Sequence, residues 1–497
     1  MPPETAGSAY DEMEAAAPPE DVLTSRDYLA LLKIRESHKV GMADLQRMAT
    51  GVLAHTAQSR SVASAGRGIT GFKKLPIRNT RNFVRFAGPG PSAEAAVETD
   101  PVEIYELSVG QPDGEGEGFV LASNDIRIGT ILAIAEGSLE DANEEFLEVL
   151  TANLRDYIDA TIAEYNRITG EEIEAALEKA LAEDVKGARE LSSHWSGAFR
   201  PSGAWKAAGY WTDFSIEKSP LLLTKWGQGS TGAYHPAHYA YNNYLKYATG
   251  NNDYLTGCGP TAMAQIIAYH NYINRTGCFK PAVFDLASVG NWSGTYDLSL
   301  IRGMPAITNL SSAAARGQVS ALMYQLRALS GSFYDPSSGH TVTWTNKIKG
   351  AFEVLGYTVS TYNSAMGLTK TLTDTAIDYT GPAVVKNALN SNRPIFTFGT
   401  AAPGDVGHYW VIDGHGTMGM HGEYVSNNRT GQDAWVNWTV YDNTLMVHCN
   451  LGWDGTANGW YIYGIFDTRR RNLLESGQNG GRSNYSADTR LWIPKKP

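Results

Sequence analysis

The chain has 497 residues, 42% of them hydrophobic, which suits two or three domains with real cores and excludes a largely disordered protein. The net charge of −11 is uneven, residues 1–200 summing to −15 and residues 201–497 to +4. This balance suits two parts that recognise each other electrostatically, or simple solubility; the absence of a dense Lys/Arg stripe argues against a nucleic-acid partner.

Residues 1–20 are rich in Ala, Pro and Glu and read as a loose terminus. They lack the apolar core of a signal peptide, and no apolar run in the chain is long enough for a membrane span. Residues 25–56 predict one or two helices broken at Gly41, and residues 72–88 predict short extended pieces. The stretches EIYELSVG (103–110) and GEGFVLASNDIRIGTILAIAEG (116–137) alternate and are β-branched, so they predict strands with turns at Asn124-Asp125 and Gly137. From Leu139 to Ile168, the residues Phe146, Leu147, Leu150, Leu154, Tyr157 and Ile158 recur at helical spacing. An acidic helix is expected at about 171–190. Periodicity then fades through 192–220, which reads as a linker with Arg200 and Lys206 as accessible cleavage points.

Beyond Leu221 the texture is aromatic and glycine-rich. Helices are expected near 260–272, 310–328, 343–355 and 381–390. Strands are expected in RPIFTFGT, GHYWVIDGHG, TLMVHCNLGW and GWYIYGIF. The whole reads as α+β. Its expected divisions are a flexible terminus (1–20), a small α+β domain (21–195), a linker or activation region (196–220) and a larger domain (221–497).

Three cysteines, Cys258, Cys278 and Cys449, are too few for a disulfide scaffold and do not cluster as metal ligands do. They leave open one bridge and a thiol, or three thiols. Cys258 lies in TGCGPTAMAQIIAYH, between two glycines at an expected helix start. There the helix dipole favours a thiolate, and Pro260 is tolerated in the first turn. Gly257 lets the backbone approach a substrate closely. An inert core thiol has the same local sequence. His408, after Gly407 at the start of an apolar strand, is the candidate base. Read alone, it also fits a strand-edge histidine bonded to a loop. A metal site joining His408, His415 and His421 has no diagnostic spacing, so neither a metal nor a cofactor is expected.

Four segments, in order, resemble the streptopain family of bacterial cysteine peptidases, a branch of the papain-like fold: KWGQG (225–229), TGCGPTAMAQIIAYHNY (256–272), GHYWVIDGHG (407–416) and HCNLGWDGTANGWYIYGIFD (448–467). Residues 116–137 resemble part of that family's inhibitory propeptide. The resemblance implies a papain-like catalytic domain, a helical subdomain plus an antiparallel sheet, preceded by a prodomain that blocks the site until cleaved. It implies Cys258 as nucleophile, His408 as general acid and base, Gln228 as oxyanion donor and Asn450 as the group orienting His408. Trp453 would shield that contact, with Gly257 and Gly407 supporting.

Protein or peptide substrates, the chain's own prodomain as partner, and secretion follow from the same resemblance. The chain departs from the family at Leu451, where a tryptophan is expected, and in a long segment at 417–444 that reads as an elaborated loop near the cleft. Leu451 motivates the alternative of an inactive relative acting as a binding or adhesion module. An amidase or transferase on a non-protein substrate would use the same residues. Asp413 is discounted as the orienting group, because five strand residues place it roughly 16 Å from His408.

Overall fold

The computed structural model describes residues 39–56, 68–77, 84–85, 96–97, 102–110, 118–125, 128–142, 144–167, 206–229, 241, 255–273, 297–302, 312–336, 340–363, 382–400, 407–427, 433–466 and 488–497. The helix expected at 171–190, the terminus 1–20, Arg200 and Cys278 lie outside these residues.

The fold is α+β, with a helical subdomain and an antiparallel sheet subdomain preceded by an N-terminal region. In the N-terminal part, helix α1 (Met42–Thr56) precedes strands β1 (Gly68–Lys74), β2 (Ile104–Gly110), β3 (Gly118–Ser123) and β4 (Ile131–Glu136), followed by helix α2 (Glu144–Arg167). Strand β5 (Lys206–Lys218) follows, then helices α3 (Cys258–His270), α4 (Leu298–Arg302) and α5 (Ala313–Leu329). The short hairpin β6 (Phe333–Asp335) and β7 (His340–Val342) leads to helix α6 (Thr345–Val354), strand β8 (Thr358–Asn363) and helix α7 (Pro382–Asn390). The chain ends with β9 (Ile395–Thr400), β10 (Gly407–Asn427), β11 (Asp433–Asn450), β12 (Gly459–Ile462) and β13 (Asp488–Lys495).

One 11-stranded antiparallel sheet runs in the order β1-β2-β3-β4-β12-β11-β10-β9-β13-β8, with β5 also paired to β10. The two parts of the chain therefore share a sheet, joined where β4 meets β12 (Gly459↔Ala135, Trp460↔Ile134, Tyr461↔Ala133). Side chains alternate between faces, as strand geometry requires. On one face Trp410, Ile412 and Leu491 join a core with Leu45, Val120, Ile134, Phe146 and Trp460. On the other, Tyr409, Val411, Phe396 and Trp492 pack with helices α3, α5 and α6 through Met263, Ile267, Leu322 and Phe352.

Two expectations need correction. Residues 206–218 are a paired strand: Tyr210, Thr212 and Phe214 point inward while Trp211, Asp213 and Ser215 are exposed. Thr212 Oγ1 donates to the Met48 carbonyl of α1 at 2.9 Å, so this segment is tied to the N-terminal part as well as to β10. Residues 417–427 and 433–444 form most of a long ribbon, in which β10 and β11 pair from Val411↔Asn450 to Asn427↔Asp433. A segment this rich in β-branched and aromatic residues prolongs a hairpin more readily than it forms a loop.

Candidate active site

Cys258 is the first residue of α3, a helix buried along almost its whole length. Gly257, just before it, has φ of 98°, and a Cβ there would come within 2.7 Å of Thr341 Cγ2. Only glycine meets both demands. Thr341 Oγ1 also donates to the Leu255 carbonyl at 2.9 Å, holding the approach to the helix. Thr261 Oγ1 returns a bond to the Gly257 carbonyl at 3.0 Å. The helix N-terminus offers Cys258 the positive end of the dipole. Cys449, the other free cysteine among the described residues, has a different setting. Its burial, with Asp413 nearby, pushes that thiol well up and keeps it neutral.

Gln228 is anchored to the same turn. Its carbonyl accepts from Thr256 N and from Thr256 Oγ1, each at 3.0 Å. The side chain is buried and its Nε2 makes no hydrogen bond. An amide donor left unsatisfied in a folded interior calls for a reason.

His408, the second residue of β10, lies opposite Gly399 and is fully buried. Gly407 beforehand admits no side chain, since a Cβ would stand 2.4 Å from the Phe398 ring and 2.6 Å from the Gly399 carbonyl. The His408 ring lies parallel to Trp410 (centroids 6.2 Å apart, 9°) and to Trp453 (6.2 Å, 22°). Phe146, from α2 of the N-terminal part, meets it edge-on at 5.9 Å. His408 Nε2 lies 3.0 Å from the Leu451 carbonyl. A carbonyl only accepts, so Nε2 carries the proton and Nδ1 is the nitrogen that can exchange one.

Asn450 does not orient His408 through its side chain. Its Oδ1 accepts from Gln265 Nε2 at 3.1 Å and Gly452 N at 3.3 Å, and its Nδ2 donates to the Thr224 carbonyl at 2.7 Å. The neighbouring Leu451 carbonyl meets His408 instead. The Leu451 side chain is buried in the sheet core, and the aromatic cover over His408 comes from Trp453 and Trp410. Asp413 bonds His448 Nδ1 at 2.6 Å and accepts from Leu222 N at 2.9 Å, so it serves another pair.

His415 and His421 pair with Glu217 and Asp213 of β5. Among the described residues no group of three His, Cys, Asp or Glu side chains could hold a metal, and no helix is long and apolar enough to cross a membrane. The sequence reading missed Leu451 as a carbonyl, Phe146 as a neighbour of His408, and Gln265. For Gln265 a signal existed: Thr261 and Gln265 are polar positions three and seven residues after Cys258 in an apolar helix.

No curated protein matches the chain. A solved structure of the active wild-type Prevotella intermedia interpain A cysteine protease aligns at 20% identity, over 57% of this chain and 95% of that one, with a TM-score of 0.30. At that score the superposition adds no weight. The sequence model of the Peptidase C10 family matches residues 236–461, somewhat under half of the chain. That range holds Cys258, His408, Asn450 and Trp453, while Gln228 lies before it. Through it the chain is related to the Peptidase C10 family of cysteine peptidases and stands among the hydrolases.

Proposed function

We propose that the chain is a cysteine endopeptidase made in a latent form, with its N-terminal part as the inhibitory prodomain. The thiolate of Cys258 attacks the scissile carbonyl carbon. As the C–N bond breaks, His408 delivers a proton from Nδ1 to the leaving amine, and a thioester remains. His408 then takes a proton from water, which attacks the thioester, releasing the acid and restoring the thiolate beside protonated His408. The Gln228 amide and the Cys258 backbone N–H donate to the oxyanion; loss of one such donor typically costs about 3 kcal/mol. The Leu451 carbonyl holds His408 at Nε2, while Asn450 fixes the turn carrying that carbonyl. Trp453 shields the ring.

The observation that carries this reading is the buried, unsatisfied Gln228 amide, tied through Thr256 to the start of the helix that begins with Cys258. Latency draws support from Phe146, which places the N-terminal part against the His408 ring. A backbone held in a ladder is a poor protease substrate, so the activating cut is expected outside Lys206–Lys218, on either flank of β5. Peptide and protein substrates, and action outside the cell, belong to the same proposal.

The test is to incubate the parent chain and Cys258→Ala side by side, and to follow fragments by mass spectrometry and thiol labelling by fluorescence. The parent is expected to release its N-terminal part, to cleave added peptides, and to lose Cys258 labelling after an active-site epoxide. Cys258→Ala is expected to do none of these, with activity down by more than about 10³-fold. Equal cutting of both chains without added protease overturns self-processing. A folded, cut parent that turns over no peptide favours a non-catalytic binding module. Turnover of non-peptide amides alone selects an amidase.

A further inference from the structure

Gln265 is fully buried on α3, two helical turns beyond Cys258 and on the same side, since residues three and seven apart share a helix face. Its side chain has three partners. Oε1 accepts from Thr224 Oγ1 at 2.9 Å and from Trp226 N at 3.2 Å, and Nε2 donates to Asn450 Oδ1 at 3.1 Å. Asn450 Nδ2 then donates to the Thr224 carbonyl at 2.7 Å, closing a ring. The amide orientations are forced: Trp226 N and Gly452 N can only donate, and the Thr224 carbonyl can only accept. The network is buried and every bond in it is complementary, which is the condition under which a polar cluster specifies geometry.

Its three arms end on the three elements the proposed chemistry needs. The first is α3 itself, which starts at Cys258. The second is the segment Thr224–Trp226, two residues before Gln228. The third is the turn from Asn450 to Gly452, whose Leu451 carbonyl accepts from His408 Nε2 at 3.0 Å. Thr261, between Cys258 and Gln265, adds a longer contact to the Gly227 carbonyl at 3.4 Å. On the peptidase reading above, we propose that Gln265 is a positioning residue. Its amide sets the distance and orientation of the oxyanion donor and of the His408 acceptor relative to the nucleophile helix, without touching substrate.

Gln265→Met keeps the length and removes the polar ends. In the fully processed protein, this variant is expected to lose roughly 10- to 100-fold in kcat with KM within about twofold, the size of loss that a misplacement of about 1 Å produces. The double variant with Gln228→Ala supplies a readout that a purely structural role would not move. If Gln265 acts through the Gln228 segment as well as through the His408 acceptor, the double variant loses clearly less than the product of the two single losses; if its amide does not position Gln228, the losses multiply in full. Thr224→Val, a milder cut in the same ring, is expected to lower kcat severalfold. It stands in for Gln265→Met should that variant fail to fold, as judged by its thermal midpoint. A parental kcat in the folded variant, or multiplying losses, overturns the positioning role and leaves the peptidase reading intact. A parent that cleaves nothing and cannot be told from Cys258→Ala overturns the peptidase reading and the positioning role with it.

Discussion

The chain is held together in two places by different means. Where β4 meets β12, the contact is backbone ladder and apolar side chains, with Ile134, Trp460 and Tyr461 all buried. Around Gln265, three segments are held by buried amides, a hydroxyl and main-chain groups. The ladder requires close backbone approach and is indifferent to much of the side-chain chemistry. The amide ring is the reverse: its volume could be filled by hydrocarbon, but its directions could not. The first arrangement joins two parts of the fold, whereas the second fixes the angles among three segments within the later part.

The ladder breaks most sharply at Gly459. A Cβ there would lie 2.2 Å from the Ile134 carbonyl and 2.5 Å from Ala135 Cα, both backbone atoms that cannot swing aside. Gly459→Val is expected to destabilise the full chain by more than about 4 kcal/mol, the range that marks a broken structural feature. Denaturant unfolding in a Cys258→Ala background, which prevents self-cleavage, measures it. A loss under about 1 kcal/mol would mean the two parts do not depend on this junction.

Phe146 sharpens the comparison, because it belongs to the N-terminal part yet touches the His408 ring. It is fully buried and also meets Tyr461 edge-on at 6.0 Å. Phe146→Ala is expected to cost about 3 kcal/mol through the cavity it leaves. If the ring contact maintains latency, the uncut variant will also label at Cys258 and hydrolyse peptide faster than the uncut parent. Destabilisation with unchanged latency would reduce Phe146 to a core residue.

Much of this was legible in the sequence, and for local reasons. The helices at α3, α5, α6 and α7 and the strands β9 to β12 follow from periodicity and from short β-rich runs, which are properties of neighbouring residues. The β4–β12 junction is not such a property: nothing in ILAIAE says which distant strand it will pair with. The same holds for residues 206–218, whose alternation of Tyr210, Thr212 and Phe214 is plain once β10 is beside it. Of the candidate site residues, Cys258 stood out because helix starts leave local marks; Gly257 stood out for close approach to a substrate, whereas its positive φ and the tight contact at Thr341 are visible only in the fold. The exchange of the Asn450 side chain for the Leu451 carbonyl left none. A backbone carbonyl is present at every residue, and only the path of the turn decides which one faces His408.

The smallest expected effect concerns charge. The acidic first 200 residues and the basic remainder suggested that the two parts recognise each other electrostatically. Among the described residues one ion pair crosses beside the junction, Lys225 with Glu136, and Lys225 is 45% exposed. Water and salt screen such a pair, so Lys225→Ala is expected to cost less than about 1 kcal/mol, and that little should vanish when unfolding is repeated at about 1 M salt. The adjacent strands would hold without it, since the β4–β12 ladder joins backbone groups between Ala133, Ile134, Ala135 and Gly459, Trp460, Tyr461, none of them charged. A cost of several kcal/mol at low salt that collapses at high salt would reverse the ranking, making charge the main bond between the two parts and the ladder its consequence.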